Sequence, residues 1–175
     1  KIGRPDILSF DMGGTTAKAA LVEKGLPKIS PMMEVARTNR FKKGSGLPVF
    51  VPVIDMIEIG AGGGSIARVD ALGLLKVGPE SAGADPGPAC YSKGGKLPTV
   101  TDASLVLGYL DPNFFLGGTM SLDKSAAVEA MTGLSKELGL SVIETARGIY
   151  DLVCENMAAA ARVHIVETGR DPRAY

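Results

Sequence analysis

Two glycine-rich strings constrain this 175-residue chain more than any other feature of its sequence. The first reads DMGGTT at residues 11–16, and the second reads GAGGGS at residues 60–65. The chain carries 23 glycines among its 175 residues, a share well above the usual one of about 7%. Because glycine lacks a Cβ, clustered glycines indicate backbone that turns sharply or approaches another group closely. Both strings are therefore candidates for binding loops.

The first string has the composition of a phosphate clamp at a hairpin turn. It follows the apolar run 7–10, which predicts a buried strand. Its glycines would let backbone N–H groups face an oxyanion, its threonines add hydroxyl donors, and its aspartate can hold Mg²⁺ through water. An ordinary turn with a capping aspartate is the alternative, and the chain lacks the Gly-Lys-Ser/Thr of a P-loop. The cofactor-binding candidates are Gly13, Gly14, Thr15 and Thr16, and the catalytic and metal candidate is Asp11.

The second string predicts a tight loop, either structural or facing a substrate. A dinucleotide-binding fingerprint is disfavoured because a short β-branched segment follows instead of a helix. Asp70 also comes much sooner than the roughly 20 residues that a ribose contact requires. The candidates for the substrate side of this loop are Gly62, Gly63, Gly64 and Ser65.

A third segment, residues 78–91, alternates proline and glycine, which predicts a stiff and sharply turned loop. Asp85 in this loop and Asp102 beyond it are further catalytic candidates. Cys90 could act as a nucleophile, but a small buried side chain is the commoner state of a free cysteine. The only histidine, His164, falls on an apolar helical stripe and is expected to pack there.

Local patterns predict strands in the first half of the chain and helices in the last third. Strands are predicted over 7–10, 19–22, 34–37, 49–59, 66–69 and 74–77, with a hairpin turn at Lys24-Gly25 and a polar loop over 39–46. A helix capped by Thr101 or Asp102 is expected to run to Leu110, and Asp123 is expected to cap residues 124–131. Ser141 and Glu144 form a capping box, and Gly169 is placed to end the helix that follows.

Composition excludes several classes of function. Lysine plus arginine equals aspartate plus glutamate at 19 each, and this balance argues against nucleic acid as a partner. No run of about 18 apolar residues is present, so we expect no membrane span. Two cysteines are too few for a disulfide framework, which favours a reduced, cytoplasmic protein.

Four strings, in order and spacing, resemble the central domain of the hydantoinase A/oxoprolinase family. They are FDMGGTTAKAALV, IDMIEIGAGGGSIARVD, GLLKVGPESAGADPGPACY and PTVTDASLVLGYLDPNFFLGG, and the resemblance covers essentially the whole chain. It implies an α/β (α+β) fold of the ASKHA, or actin-like ATPase, type: an RNase-H-like half with an inserted Gly/Pro-rich subdomain. The implied single domain 1–175 divides into a phosphate-loop hairpin (1–40), the insert (45–120) and a helical part (121–175).

The resemblance also implies the activity. Such enzymes use ATP and Mg²⁺ to open a cyclic amide of the hydantoin or 5-oxoproline type, with a hydantoinase B-like second subunit. A ketone carboxylase subunit and a non-catalytic ASKHA-like scaffold are the alternatives. Residues 11–16 resemble the second of two phosphate loops, so the first loop, the adenosine loop and other flanking domains are expected elsewhere in a longer parent chain. We therefore expect the isolated chain to be inactive, and the role of Lys18 stays open.

Overall fold

The computed structural model describes residues 3–36, 38 and 44–175. The chain divides into two compact units, and the boundaries fall inside four regular elements. Unit 1 comprises Lys1–Phe10, Lys18–Ile57 and Ala161–Tyr175, and unit 2 comprises Asp11–Ala17 and Glu58–Ala160. The described residues thus form a mixed α/β fold.

The described part of the chain contains short strands followed by three helices. The strands are β1 (Ile7–Met12), β2 (Ala17–Glu23), β3 (Leu26–Pro27), β4 (Ile29–Ser30), β5 (Met33–Val35), β6 (Leu47–Val49), β7 (Val53–Ile54), β8 (Met56–Ile59), β9 (Ser65–Val69) and β10 (Leu75–Ser81). The helices are α1 (Val100–Val106), α2 (Lys124–Leu138) and α3 (Val142–Glu167), and 3₁₀ turns occupy Ala89–Tyr91, Leu116–Gly118 and Pro172–Ala174.

The main sheet has the order β1-β2-β3, with β8 also paired to β2. Along β2, Ala19 and Leu21 are buried and alternate with more accessible residues, as a strand with one buried face requires. The turn at Lys24-Gly25 has positive φ at both residues, at 52° and 77°, which is the geometry of a tight two-residue hairpin. The predicted hairpin turn is confirmed.

The strand predictions upstream of the second glycine string need three corrections. Strand β1 was expected to be buried, but it is half-exposed or exposed, with Phe10 44% accessible. The predicted strand 49–59 is broken into pieces around Pro52, which has no N–H to donate to a ladder. The predicted strand 34–37 appears as β5, although residue 37 lies outside the described residues, as do residues 39–43 of the predicted loop.

In unit 2, β9 and β10 form the predicted antiparallel hairpin, with Leu75 opposite Val69. Strand β10 continues through a bulge to Ser81, so the segment expected to be irregular from residue 78 begins only after Ser81. Helix α1 packs against α2 and against β9. These contacts surround a core to which α3 contributes the buried side chains Ala146, Ile149, Val153 and Met157.

The helix termini follow from their capping residues. The Asp123 carboxylate accepts the N–H groups of Ser125 and Ala126 and so begins α2, as predicted, although α2 runs on to a left-handed Gly139. Ser141 and Glu144 make the predicted capping box at the start of α3. Helix α1 is capped by Thr99 instead of Thr101 or Asp102, and it ends before Leu110.

Candidate phosphate-binding site

The two glycine strings lie against each other in unit 2. The N–H of Gly63 donates to the carbonyl of Gly13 at 3.0 Å, and the N–H of Gly64 donates to the carbonyl of Gly14 at 2.6 Å. Residues 11–16, which we call the phosphate loop, are therefore held from one side by residues 60–65, which we call the glycine loop. The structure thus brings together two segments that lie far apart in the sequence.

This close contact explains why the glycine loop has no side chain at its contact points. A Cβ added to Gly62 would lie 2.7 Å from the backbone of both Gly13 and Gly14. A Cβ on Gly64 would lie 3.1 Å from the carbonyl oxygen of Gly14 and 2.8 Å from Ser81 Oγ. Real Cβ atoms essentially never approach backbone as closely as 2.7 Å, so the two loops can make this contact only because residue 62 is a glycine, while the space at Gly64 is tight.

The direction of the phosphate-loop amides follows from these hydrogen bonds. In a trans peptide the C=O and the next N–H point in opposite directions. Because the carbonyls of Gly13 and Gly14 point at the glycine loop, the N–H groups of Gly14 and Thr15 point away from it. The N–H of Gly13 instead donates to the Thr16 carbonyl at 2.9 Å, so the two donors offered to an anion are those of Gly14 and Thr15.

The outer side of the phosphate loop is open to solvent. Asp11, Gly13, Gly14 and Thr15 are exposed, whereas Thr16 is half-buried. A Cβ placed on Gly14 would meet no atom within 4 Å. Two adjacent backbone N–H groups on an open loop are donors that an anion could accept from.

Asp11 fits a magnesium ion that is shared with phosphate oxygens. It stands at the exposed end of β1, next to the loop amides. Mg²⁺ keeps several waters and binds one or two carboxylates together with substrate phosphates. Among the described residues, no group of three or more His, Cys, Asp or Glu side chains could hold a metal ion. The single exposed carboxylate of Asp11 could hold a magnesium ion through the ion's water ligands.

The segment 78–91 also reaches this site. The N–H of Ala82 donates to the carbonyl of Gly64 at 2.8 Å, and Ser81 Oγ accepts the N–H of Gly83 at 3.1 Å. Ser81 Oγ and the Gly83 carbonyl both lie beside the position that a Cβ on Gly64 would take. Three loops from separate parts of unit 2 thus converge at Gly64. Asp85, farther along the same segment, is exposed.

Ser65, a candidate for the substrate side, faces inward. It is fully buried, and its Oγ accepts the N–H of Gly62 at 2.9 Å. The N–H of Ser65 in turn donates to the Gly62 carbonyl at 3.1 Å. The hydroxyl therefore closes the turn of the glycine loop, which is a structural contribution in this conformation.

Asp102 is fully buried, and its carboxylate accepts four hydrogen bonds. The N–H groups of Ala89 and Cys90 donate at 3.2 and 2.8 Å, and the Thr99 N–H and hydroxyl donate at 3.0 and 2.7 Å. An ionised carboxylate in a buried place requires such compensation. These contacts favour a structural role for Asp102, which joins the 3₁₀ turn at Ala89–Tyr91 to the start of α1.

Cys90 has the environment of an inert thiol. It is 0% exposed, and burial, followed by the nearby Asp102 carboxylate, raises the pKa of the Cys90 thiol far above its ordinary value. Since the thiolate is the nucleophilic form, the structure favours the small buried residue over the nucleophile. His164 is also buried, as expected of a residue on the apolar stripe of α3.

Two residues that organise the site were missed in the sequence. Thr99 caps α1, and its signal was present as Thr-x-x-Asp, a capping box with aspartate in the third position. Thr101 donates its N–H and its hydroxyl to the carbonyl of Gly63, at 2.8 and 2.9 Å. No local pattern marks a contact between a helix residue and a distant glycine.

Known relatives match this chain over nearly its whole length, but the relatives themselves are much longer. The chain is 48% identical over 172 residues to an uncharacterised protein of Methanocaldococcus jannaschii, covering 97% of the chain and 25% of that protein. It is 42% identical over 174 residues to the caprolactamase alpha subunit of Pseudomonas jessenii (99% and 24%). It is 38% identical over 180 residues to the acetophenone carboxylase gamma subunit of Aromatoleum aromaticum (100% and 23%). The chain thus spans about a quarter of the length of these relatives.

Two solved structures have the same fold over nearly the whole chain. A nucleotide-free acetone carboxylase, described as performing ATP-dependent acetone carboxylation, superposes with a TM-score of 0.81 at 32% sequence identity. The superposition covers 99% of this chain and 24% of the carboxylase chain. The ATP-dependent caprolactamase from Pseudomonas jessenii superposes with a TM-score of 0.80 at 42% identity, covering 98% and 24%.

The family match extends over every residue of the chain. The sequence pattern of the family described as Hydantoinase/oxoprolinase matches residues 1–175. The resemblance found in the four motif strings is therefore confirmed. This chain belongs to the hydantoinase/oxoprolinase family.

Proposed function

We propose that the phosphate loop, residues 11–16, binds the phosphates of ATP. The orientation of the Gly14 and Thr15 amides carries this proposal: both point away from the glycine loop, on the exposed side of the phosphate loop. Preorganised backbone donors stabilise charge on a transferring phosphoryl group without reorganising during the reaction. The side chains of Thr15 and Thr16 add hydroxyl donors beside these amides.

We further propose that Asp11 contacts a magnesium ion bound to these phosphates through water. When bound, the ion offsets negative charge on the phosphate oxygens. Asp11 would hold the ion's water ligands at the end of β1, where its carboxylate is exposed. Asp85 is exposed on the loop that meets Gly64, and we propose it as a residue on the substrate side.

The reaction we propose is ATP-dependent opening of a cyclic amide. Support comes from the family and from a relative described as an ATP-dependent caprolactamase. The amide oxygen attacks the γ-phosphorus, the bond from that phosphorus to ADP breaks, and the amide nitrogen loses its proton. Water then adds to the activated carbon, the ring C–N bond breaks as both protons of that water pass to the nitrogen, and a second water releases phosphate from the resulting acyl phosphate, so that one ATP and two waters are consumed per ring opened. The loop amides would stabilise the charge on the transferring group.

ATP-dependent carboxylation of a ketone is the second candidate. It is favoured by the superposition on acetone carboxylase and by the acetophenone carboxylase relative. The phosphate loop would have the same task, because an enolate oxygen would receive the phosphoryl group in place of an amide oxygen. Comparing turnover of lactams with turnover of ketones plus bicarbonate in an active enzyme that contains this chain separates the two candidates.

We propose an ASKHA-type arrangement for the whole enzyme, in which residues 1–175 form one domain with a phosphate-loop hairpin, a Gly/Pro-rich insert and a helical part. Other domains of a longer parent chain would supply the rest of the ATP site, and a hydantoinase B-like subunit would complete the reaction. The named relatives are themselves subunits, which supports a partner. Among the described residues, no helix has the length and apolarity to cross a membrane. We propose a cytoplasmic location because both cysteines are free thiols.

The phosphate-loop proposal can be tested on the chain itself by nuclear magnetic resonance. Mg-ATP and inorganic tripolyphosphate are expected to shift the amide signals of Gly14 and Thr15, with a dissociation constant in the millimolar range, about −4 kcal/mol. Adenosine, which lacks phosphates, is the control and should leave those signals unchanged. Unchanged signals at saturating tripolyphosphate would instead support a scaffold whose glycine loops only pack.

A further inference from the structure

Thr101 connects helix α1 to the phosphate loop through one intermediate residue. Its N–H and its hydroxyl both donate to the carbonyl of Gly63, at 2.8 and 2.9 Å. The N–H of Gly63 donates in turn to the carbonyl of Gly13 at 3.0 Å. The Gly13 carbonyl and the Gly14 N–H belong to one peptide plane, so the position of Gly63 determines the direction of that N–H.

The hydroxyl of Thr101 occupies the space that a side chain at residue 63 would need. A Cβ added to Gly63 would lie 2.7 Å from Thr101 Oγ1. Gly63 is therefore held on one side by Thr101 and on the other by Gly13. The Gly63 carbonyl shares a peptide plane with the Gly64 N–H, which donates to the Gly14 carbonyl at 2.6 Å, and hydrogen bonds in such a series polarise and strengthen one another.

The support behind Thr101 is rigid. The neighbouring Asp102 is fully buried and accepts four hydrogen bonds, two of them from Thr99. Thr101 itself is 7% exposed, and its side chain lies near the Tyr91 hydroxyl. Thr101 thus has little freedom to change its orientation relative to α1.

We propose that Thr101 is a positioning residue of the phosphate loop, which it orients through Gly63 without touching the ligand. The ligand part of this inference rests on the proposed phosphate-binding function. The positioning part concerns the direction of the Gly14 amide and applies to the chain without a ligand. The two parts can therefore be measured separately.

The experiment compares Thr101→Val with Thr101→Ser in the full chain. Valine keeps the shape and the backbone N–H but removes the hydroxyl, whereas serine keeps the hydroxyl. Without ligand, we expect Thr101→Val to shift the amide signals of Gly14 and Thr15 and to speed hydrogen exchange at Gly63. We expect Thr101→Ser to preserve all three. Tyr91→Phe, which removes only the hydroxyl group near Thr101, is the matched control and should also preserve them.

With Mg-ATP, the dissociation constant is expected to rise about three- to tenfold in Thr101→Val, the effect of one neutral hydrogen bond, and to stay within about twofold in Thr101→Ser. Unchanged Gly14 and Thr15 signals in a folded Thr101→Val protein would overturn the inference. Equal losses of melting temperature in both variants without a change at the phosphate loop would also overturn it, because Thr101 would then be purely structural. If the wild-type chain ignores Mg-ATP while the ligand-free shifts appear as expected, only the phosphate-binding proposal fails.

Discussion

The N–H of Gly64 donates to the carbonyl of Gly14 at 2.6 Å, which joins the two glycine-rich strings of the chain directly through their backbones. The contact leaves the carbonyl side of the phosphate loop inside and the amide side outside. A loop arranged in this way has its acceptors satisfied by the protein and its donors available for an anion. Single substitutions can distinguish residues that maintain this arrangement from residues that would contact the anion.

Asp11→Asn is expected to reduce ATP-dependent turnover about 100-fold or more in an active enzyme that contains this chain, the size of effect seen when one electrostatic contact to a transition state is lost. The side chain is exposed, so the fold should be unaffected. Steady-state kinetics over a range of Mg²⁺ concentrations would measure the loss. Unchanged turnover would assign Asp11 to capping of the turn.

Gly14→Ala and Gly62→Ala form a matched pair of glycine substitutions. A methyl group on Gly14 meets open space, and Gly14 does not have positive φ, so this variant should unfold at nearly the wild-type temperature. A methyl group on Gly62 would lie 2.7 Å from the backbone of the phosphate loop. We expect Gly62→Ala to destabilise the chain by about 1–3 kcal/mol, the usual cost of overpacking, in urea denaturation.

Gly14→Ala should also change ligand binding. Gly14→Ala places its methyl group on the open side of the phosphate loop, where it would obstruct an approaching phosphate. We therefore expect a folded Gly14→Ala protein whose Thr15 amide no longer responds to tripolyphosphate in a magnetic resonance titration. A wild-type response from this variant would show that the anion does not approach over Gly14.

Ser65→Ala and Asp85→Asn should have opposite consequences. Ser65→Ala leaves the buried N–H of Gly62 without its partner, and an unsatisfied buried donor costs about 1–3 kcal/mol. Asp85→Asn changes an exposed group and should leave the melting temperature within a few degrees. If Asp85 lies on the substrate side, turnover in an active enzyme should still fall about tenfold or more, about 1.4 kcal/mol in the barrier. Normal turnover would place Asp85 outside the site.

The Cys90 thiol is expected to resist alkylation in the folded chain. Its pKa is raised by burial from the ordinary value of 9.0, so the folded state retains a proton that the unfolded state releases. The resulting stabilisation is fully present below about pH 9 and is lost as the pH rises above it. Iodoacetamide at pH 8 should modify the partly accessible Cys154 well before Cys90, and urea should abolish the difference. Rapid labelling of Cys90 in a folded Cys154→Ser variant would contradict the assignment.

Elements governed by neighbours in the sequence could be predicted well. The Lys24-Gly25 turn and the caps at Asp123 and Ser141 depend on a few adjacent residues, and the structure confirms them. The start of α1 was predicted two or three residues too late, at Thr101 or Asp102, because Thr99, Thr101 and Asp102 are all capable caps. The choice of Thr99 depends on the Asp102 carboxylate, which also receives the distant Ala89 and Cys90 amides.

The residue types of the site could be predicted from the sequence, but their arrangement in space could not. Gly13, Gly14, Gly62 and Gly64 indicate backbone that approaches something closely, but a glycine does not specify what it approaches. The partner proved to be the other glycine string, and this pairing depends on long-range contacts. The burial of β1 was wrongly predicted for the same reason. An apolar run in the sequence does not show whether another part of the protein covers it.

Asp102 also has a consequence for how this family member could be engineered. Its carboxylate accepts the N–H of Cys90 and the N–H of Thr99, so hydrogen bonds close the intervening loop, residues 91–98, at its base. Lengthening a loop that is already closed costs only about 0.6 kcal/mol for each doubling of its length. The join between Lys93 and Gly94 is exposed and open, which makes it a suitable position for grafting an epitope or a fluorescent reporter without disturbing the glycine loops.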